Sequence, residues 1–316
     1  MLSNPLVSVV MPTFNMENYL SEAIASVLEQ TFCDFELIII DDGSTDSSFK
    51  ILDSLSDKRI KIIRQVNQGV ARSLNVGINI AAGKYIARMD ADDICMPNRF
   101  EIQFEFMERN PDYIAVGTNA DVIDESGKFV CRSNQETDWN KILSKLPNTP
   151  FIHPSVMFRR DACLKVGSYP DIPFIEDDLF FYKMAKAGKM INLTHSLIKY
   201  RLRPSAVSTK SKKDSRIIVR IINRTLESGV ISEEDSIILK AIMKKSKKWK
   251  ESYYFMHIGK QFLWRNYSPG FARRSFVKSL LAMPINIGAF ILLIFSFFPK
   301  QLISFVYDYF RSKKNI

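Results

Sequence analysis

Across its first third, the chain alternates short β-branched apolar runs with amphipathic helical segments, and no other feature limits the fold as strongly. Leu6–Met11 is short, apolar and β-branched, which fits a buried strand. Glu17–Gln30 follows with Leu20, Ile24, Val27 and Leu28 at helical spacing. The pattern then repeats: strand at Phe35–Ile40, helix at Asp46–Leu55, strand at Ile60–Arg64, helix at Val70–Ala82 closed by Gly83, strand at Lys84–Met89. A helix after Pro97 runs to about Arg109, and Tyr113–Gly117 is a further strand. This predicts an α/β fold, a Rossmann-like and mostly parallel sheet flanked by helices. Ligands of such sheets bind beyond the carboxyl ends of the strands.

Polar clusters stand at those ends. Pro12-Thr13-Phe14-Asn15 closes the first strand, and Asp41-Asp42-Gly43-Ser44-Thr45-Asp46 closes the second. Turn and capping chemistry accounts for part of the second cluster. Two adjacent carboxylates after a buried strand also suit a hydrogen bond from a nucleotide base N–H, and the residues alone leave both readings open. The third cluster, Arg88-Met89-Asp90-Ala91-Asp92-Asp93, contains a D-x-D pair. Hard cations such as Mg²⁺ or Mn²⁺ take oxygen ligands from one or two carboxylates plus substrate phosphates. A solvated acidic loop is the plain alternative for any one such pair. The conjunction of clusters on successive strand ends favours a ligand site. A fourth cluster, Glu176-Asp177-Asp178, opens a helix expected over Asp178–Ala187. Acidic residues at a helix N-terminus also suit the helix dipole.

These segments together resemble glycosyltransferase family 2, the large inverting family with the A-type nucleotide-sugar fold. The resemblance runs through SVVMPTFNMENYLSEAIASVLEQTFCDFELIIIDDGSTD, NQGVARSLNVGINIAAGKYIARMDADD, HPSVMFRR and IEDDLF to YRLRPSAVS, about residues 6 to 208. It implies that Thr13, Phe14 and Asp42, with Asp41 beside them, line a nucleotide pocket that also takes in Pro12, Asn15, Arg88 and Asp90. Asn67 and Asn75 match a stretch bordering the donor site; a turn and a helix surface are their plain alternatives. Asp90 and Asp92 are implied as the metal and diphosphate pair, with Mn²⁺ or Mg²⁺ as cofactor. Asp177 matches the family's catalytic base and Glu176 its partner. The His-Pro at His153 is implied to shape the acceptor cleft. Arg203 stands where relatives frequently carry His, a departure that bears on the metal shell, and Arg suits bidentate phosphate contact.

Net charge divides the chain. Residues 1–198 carry 20 Lys+Arg against 27 Asp+Glu, whereas residues 199–316 carry 24 against 7. No nucleic-acid motif accompanies the basic half, and the neighbouring apolar stretch favours an anionic membrane surface over nucleic acid. A Lys-rich helical region is expected from about Asp214 to Trp264. Ser279–Pro299 is free of charge, but Pro284, Asn286 and Gly288 leave only Ala289–Phe298 solidly apolar. That is short for a bilayer crossing. Pro299 then breaks the helix, and Gln301–Arg311 places Leu302, Phe305, Val306 and Tyr309 on one face, beside Lys300, Arg311, Lys313 and Lys314. The segment reads as lying in or dipping into one leaflet, with a core helix followed by a basic tail and a single span as the alternatives.

The expected organisation is a catalytic domain over 1–210, a basic helical region over 211–270 and a membrane-associating segment over 271–316. Within the catalytic domain, the nucleotide-sugar half covers about 1–120 and the acceptor half about 121–210. Hydrophobic content of 46% excludes a disordered chain. Cys33, Cys95, Cys131 and Cys163 form no C-x-x-C pair, which argues against zinc and a disulfide framework and for a reducing compartment. The N-terminal stretch lacks the basic n-region of a signal peptide.

The expected activity is metal-dependent transfer of a hexosyl or hexosaminyl group from a nucleotide sugar, UDP-linked by family frequency. The acceptor is a saccharide or lipid-linked saccharide of O-antigen or capsule synthesis, at the cytoplasmic face of the cell membrane. A sugar-phosphate nucleotidyltransferase would need a Gly-rich loop after the first strand, where this chain has Pro12-Thr13-Phe14-Asn15. A non-catalytic nucleotide-binding scaffold has no reason to keep Asp42, Asp90, Asp92 and Asp177 together.

Overall fold

In the computed structural model, residues 5–148, 150–204 and 212–312 are described. The elements are β1 (Val7–Thr13), α1 (Leu20–Leu28), β2 (Phe35–Asp41), α2 (Ser48–Asp53), β3 (Ile60–Arg64), α3 (Val70–Ile80), β4 (Tyr85–Arg88), β5 (Ile94–Cys95), α4 (Arg99–Arg109), β6 (Tyr113–Ile123) and β7 (Phe129–Arg132). They continue as α5 (Trp139–Lys145), β8 (Met157–Arg159), α6 (Arg160–Lys165), α7 (Glu176–Met184), β9 (Lys189–Arg201), α8 (Lys212–Ser228), α9 (Glu233–Met243), α10 (Lys247–Trp264), α11 (Pro269–Ala282), α12 (Ile287–Phe295) and α13 (Lys300–Ser312). Two compact units result. The first comprises Met1–Asp121, Ser133–Tyr200 and Ile218–Ser232; the second comprises Val122–Arg132, Arg201–Ile217 and Glu233–Ile316.

The first unit is built on a sheet of order β3-β2-β1-β4-β8-β6-β9-β5. β1 lies parallel between β2 and β4, with Val7 opposite both Phe35 and Tyr85. Every residue of β2 and β4 is buried, which explains runs without polar alternation. One face packs on α1 and α4 through Leu20, Ile24, Val27 and Phe100; the other packs on α3 through Leu74 and Ile78.

The expectation of a mostly parallel sheet is corrected beyond β4. β8 runs antiparallel to both β4 and β6, with Phe158 opposite Ile86 on one side and Ala115 on the other. β5 also runs antiparallel to β9. Alternation of strands and helices favours parallel neighbours among the early strands. It does not say which strands become neighbours, and a three-residue segment from much later in the chain separates β4 from β6. The 13-residue strand β9 escaped the pattern because Asn192, His195 and Ser196 interrupt its apolar residues. Asn192 is buried and donates from Nδ2 to Glu136 O (2.9 Å) and Pro150 O (3.2 Å).

In the second unit, β7 pairs with β6 around a turn held by Asp124, whose Oδ1 accepts from Ser126 N (2.9 Å) and Lys128 N (3.0 Å). α10, α11 and α13 supply Tyr254, Ile258, Phe262, Phe276 and Ile303 to a core shared with Val130 and Cys131. A buried polar knot joins α10 and α11 to the start of α12. Ser252 Oγ donates to Ser279 O (2.9 Å), and Asn286 Nδ2 donates to Ser252 Oγ (2.9 Å) and Ser279 Oγ (3.2 Å). Asn286 Oδ1 caps α12 by accepting from Ala289 N (3.2 Å). The Lys-rich helical region consists of α8, α9 and α10, parted near Gly229 (φ 78°) and again before Ser246, which caps α10. Among the described residues no helix is long and apolar enough to cross a membrane. Lys313 and Lys314, and the side chain of Arg311, lie outside the described residues.

Gly83 marks how tightly the strands approach. A Cβ there would stand 2.6 Å from Ser8 N and 2.8 Å from Val7 C, both backbone of the central strand. Gly83→Ala is therefore expected to cost about 1–3 kcal/mol. The effect is read as a lower urea midpoint at unchanged slope; a midpoint within error of the parent would show that the strand yields.

Candidate active site

β1 and β2 end level with each other, Thr13 opposite Asp41. Thr13 is buried, its Oγ1 has no hydrogen-bond partner among the described residues, and its carbonyl accepts from Asp42 N (2.9 Å). Asn15 then takes a left-handed φ of 53°, a conformation Asn tolerates. Its Oδ1 accepts from Thr45 N (2.8 Å) and Asp46 N (3.3 Å), and its own N–H donates to Ser44 Oγ (3.1 Å). Asn15 thus ties the two strand-end loops together. Phe14 is left 42% exposed beside it, and Pro12 is half-buried.

The two carboxylates after β2 do different work. Asp42 accepts at Oδ1 from Gln68 N (2.9 Å) and Gln65 Nε2 (2.7 Å), and at Oδ2 from Gly69 N (2.8 Å). It therefore holds the loop that leads into α3, where Gly69 takes a φ of 90°. Asp41 accepts at Oδ1 from Ser44 N (3.0 Å) and, like Asp42, is buried. The expected pocket residue Asn67 is exposed in the same loop, its N–H 3.0 Å from where a Cβ on Gly43 would stand. Asn75 spends both ends of its amide on Tyr169, donating to the carbonyl (2.8 Å) and accepting from the N–H (3.0 Å).

Beyond β4, Asp90, Asp92 and Asp93 bring carboxylate oxygens within 4.8 Å of one another. Asp93, the third member, directly follows the D-x-D pair, where the residues alone do not distinguish it from a turn carboxylate. Three hard oxygen donors at this separation fit a divalent cation such as Mg²⁺ or Mn²⁺. Arg88 lies beneath them, almost fully buried and ion-paired with Asp90; its Nε has no hydrogen-bond partner among the described residues. Arg99 braces this strand end from below, with Nη2 donating to Arg88 O (2.8 Å) and Nε to Gln103 Oε1 (2.9 Å).

α7 starts at Glu176, just after Phe174, which is held at φ 83° where a bulky residue is strained. Burial, and then the charge of Asp177, push the Glu176 carboxyl up to about 7. Its Oε2 is buried with no hydrogen-bond partner among the described residues. Asp177 Oδ1 accepts from Asp178 N (2.9 Å). Tyr169, which no motif announced, joins these groups. Burial raises its phenol well above 10, and the charges of Arg88, Asp177 and Glu176 all act on it. His153 Nε2 lies 2.7 Å from the Tyr169 hydroxyl, and burial, then the charge of Arg88, keep the ring's pKa well below 6.5. The first unit therefore gathers Arg88, His153, Tyr169, Glu176 and Asp177. Arg203 belongs to the second unit, and the end of its motif, residues 205–208, lies outside the described residues.

The sequence profile described as Glycosyl transferase family 2 matches residues 8–167, which contain both strand-end loops and the acidic cluster. The chain belongs to this family. An Escherichia coli member, UDP-Glc:alpha-D-GlcNAc-diphosphoundecaprenol beta-1,3-glucosyltransferase WfgD, is 34% identical over 216 residues, covering 66% of this chain and 82% of its own. Among solved structures, S. aureus TarS 1-349 in complex with UDP-GlcNAc aligns at a TM-score of 0.56 with 16% identity, over 88% of this chain and 81% of that one. The mannosyltransferase PcManGT from Pyrobaculum calidifontis, in complex with GDP-Man and Mn²⁺, aligns at 0.52 with 18% identity, over 92% and 79%. The two structures show the fold, an α/β mixed sheet with flanking helices of the glycosyltransferase A type.

Glu176 gives this family-2 site a measurable signature. It holds its proton up to about 7 in the fold, against an ordinary value of 4.5. Between those values the folded chain binds more protons than the unfolded one, so stability falls as pH rises through that window. Glu176→Gln removes the linkage. The urea midpoint of the variant is expected to fall less steeply than the parent's between about pH 5 and 7. Identical slopes would mean that Glu176 ionises as an exposed carboxyl does.

Proposed function

We propose that the chain is an inverting, metal-dependent hexosyl- or hexosaminyltransferase. In this reading it moves a sugar from a UDP-linked donor to a lipid-linked saccharide during assembly of a cell-surface polysaccharide such as O-antigen or capsule. The reaction belongs at the cytoplasmic face of the membrane. The observation that carries the reading is the three-carboxylate cluster after β4, with buried Arg88 beneath it and electrostatically linked to Glu176 at the head of α7. WfgD, by its name, uses UDP-Glc and an acceptor on diphosphoundecaprenol, which supports the donor and acceptor classes. The Mn²⁺ in PcManGT supports the metal.

Asp90 and Asp92, with Asp93, would hold the divalent cation, which supplies charge neutralisation to a departing diphosphate. Thr13, Phe14 and Asp42, with Asp41 beside them, would receive the nucleoside, while the bonds of Asn15 and Asp42 keep the two loops in place around it. Asp177 takes the proton from the acceptor hydroxyl as that oxygen bonds to the anomeric carbon and the bond to the diphosphate breaks on the opposite face. Glu176 beside it keeps the neighbourhood short of one negative charge until its proton leaves.

Calorimetric titration with UDP tests the donor half. Binding is expected in Mn²⁺ and a large loss in EDTA, with Asp90→Asn weakening the metal-dependent part and Asp92→Asn abolishing turnover. Equal UDP affinity with and without metal in the parent would refute the metal assignment. For the base, Asp177→Asn is expected to lower transfer by roughly 10²–10⁴-fold with UDP binding nearly unchanged. Normal transfer by Asp177→Asn, with Glu176→Gln inactive, would move the base one residue back.

A further inference from the structure

The second unit exposes apolar side chains where a helix facing water carries polar ones. α12 is apolar on both sides. Ala289 is buried, and Leu292, Leu293 and Phe295 pack toward the core. The opposite stripe, Ile287, Phe290, Ile291 and Ile294, follows the i, i+3, i+4, i+7 spacing of one helix face and is between 50% and 71% exposed. Leu281 and Ile285 precede it at 78% and 80%, and Phe297 follows at 66%. α13 repeats the arrangement, with Ile303 buried and Leu302, Phe305 and Tyr309 exposed. The helices cannot turn these side chains inward, because the Ser252–Ser279–Asn286 knot fixes the rotation of α12 against α10 and α11.

Charge identifies the occupant. From residue 252 to residue 307 the chain has six Lys and Arg and no Asp or Glu. Arg274 and Lys278 are exposed on α11 near Val277 and Leu281, and Lys300 is exposed at the start of α13. A second copy docking on the same face would set cation against cation, which disfavours a symmetric dimer. An anionic bilayer surface offers both apolar depth and opposite charge. With nine residues, α12 is far too short to cross the hydrocarbon and suits a helix lying in the interface.

We infer that this face of α11–α13 docks on an anionic lipid bilayer, Ile287, Phe290, Ile291 and Ile294 entering the acyl boundary while Arg274, Lys278 and Lys300 meet lipid phosphates. The inference builds on the membrane location proposed above and gives it particular side chains.

Flotation of the purified full chain with phosphatidylcholine vesicles, with or without one third phosphatidylglycerol, tests it. The parent is expected to float with the anionic vesicles and much less with the neutral ones. The exposed double variant Phe290→Ser/Ile291→Ser should lose about tenfold or more in partition. Arg274→Glu/Lys278→Glu should lose about tenfold or more on anionic vesicles only. Unchanged near-ultraviolet circular dichroism checks that both variants fold. A parent that stays unbound with anionic vesicles, or an apolar double variant that floats like the parent, overturns the inference. So does a lipid-free dimer, seen by light scattering, that the apolar double variant dissolves. UDP titration of the same samples keeps the two readings apart: a chain that binds UDP yet ignores vesicles refutes the docking face alone.

Discussion

A parallel strand buried on both faces takes unpaired polar groups most readily at its carboxyl end. β1 is such a strand, with β2 on one side and β4 on the other in matched register. The parallel arrangement delivers Thr13, Asp41 and the chain leading to Asp90 to the same edge of the sheet. The strand interiors are largely apolar because they are covered on both sides, with Ser8 and Glu36 satisfying each other near the strand starts, and the polar residues of three separate segments collect where the strands stop. The ties from Asn15 to Thr45 and Asp46, and from Asp42 to Gln68 and Gly69, are then local bonds between loops already brought together.

This is also why so much was readable beforehand. Residues with no polar alternation at Phe35–Ile40 announce a covered strand, and the acidic groups after it announce a rim. β3 was placed residue for residue at Ile60–Arg64. Legibility ended where non-local partners decide the structure. Nothing in Met157–Arg159 says that it will lie between β4 and β6, because that depends on edges two other segments leave open. Tyr169 carries no motif, and its place is set by Asn75 gripping its backbone 94 positions earlier in the chain. Asp93 is adjacent to the D-x-D pair, and only the loop's folding shows that its carboxylate joins the other two.

Electrostatically the site is unusual in sharing few charges among many groups. Arg88 is a buried cation ion-paired with Asp90, and Glu176, Tyr169 and His153 all feel its charge. Its charge favours the ionised form of Glu176 and disfavours a second cation on His153. Burial acts against every charge in the same space, and for Glu176 and His153 burial is the larger effect. The result is a neutral imidazole and phenol near a Glu176 carboxyl that keeps its proton up to about 7.

The Ser252–Ser279–Asn286 knot has a consequence for how this family member can vary in length. Asn286 bonds to two hydroxyls and caps α12 with its remaining oxygen, so its position is specified from three directions. One residue added to or removed from the short link after Ala282 would displace all of these bonds together, and no neighbouring side chain in Met283-Pro284-Ile285 can take them over. The turn around Gly229 lies in an exposed stretch, where Ser228 Oγ donates to Val230 O (2.7 Å) within the turn itself. Insertions and deletions among close relatives should therefore gather at the second of these joints and avoid the first.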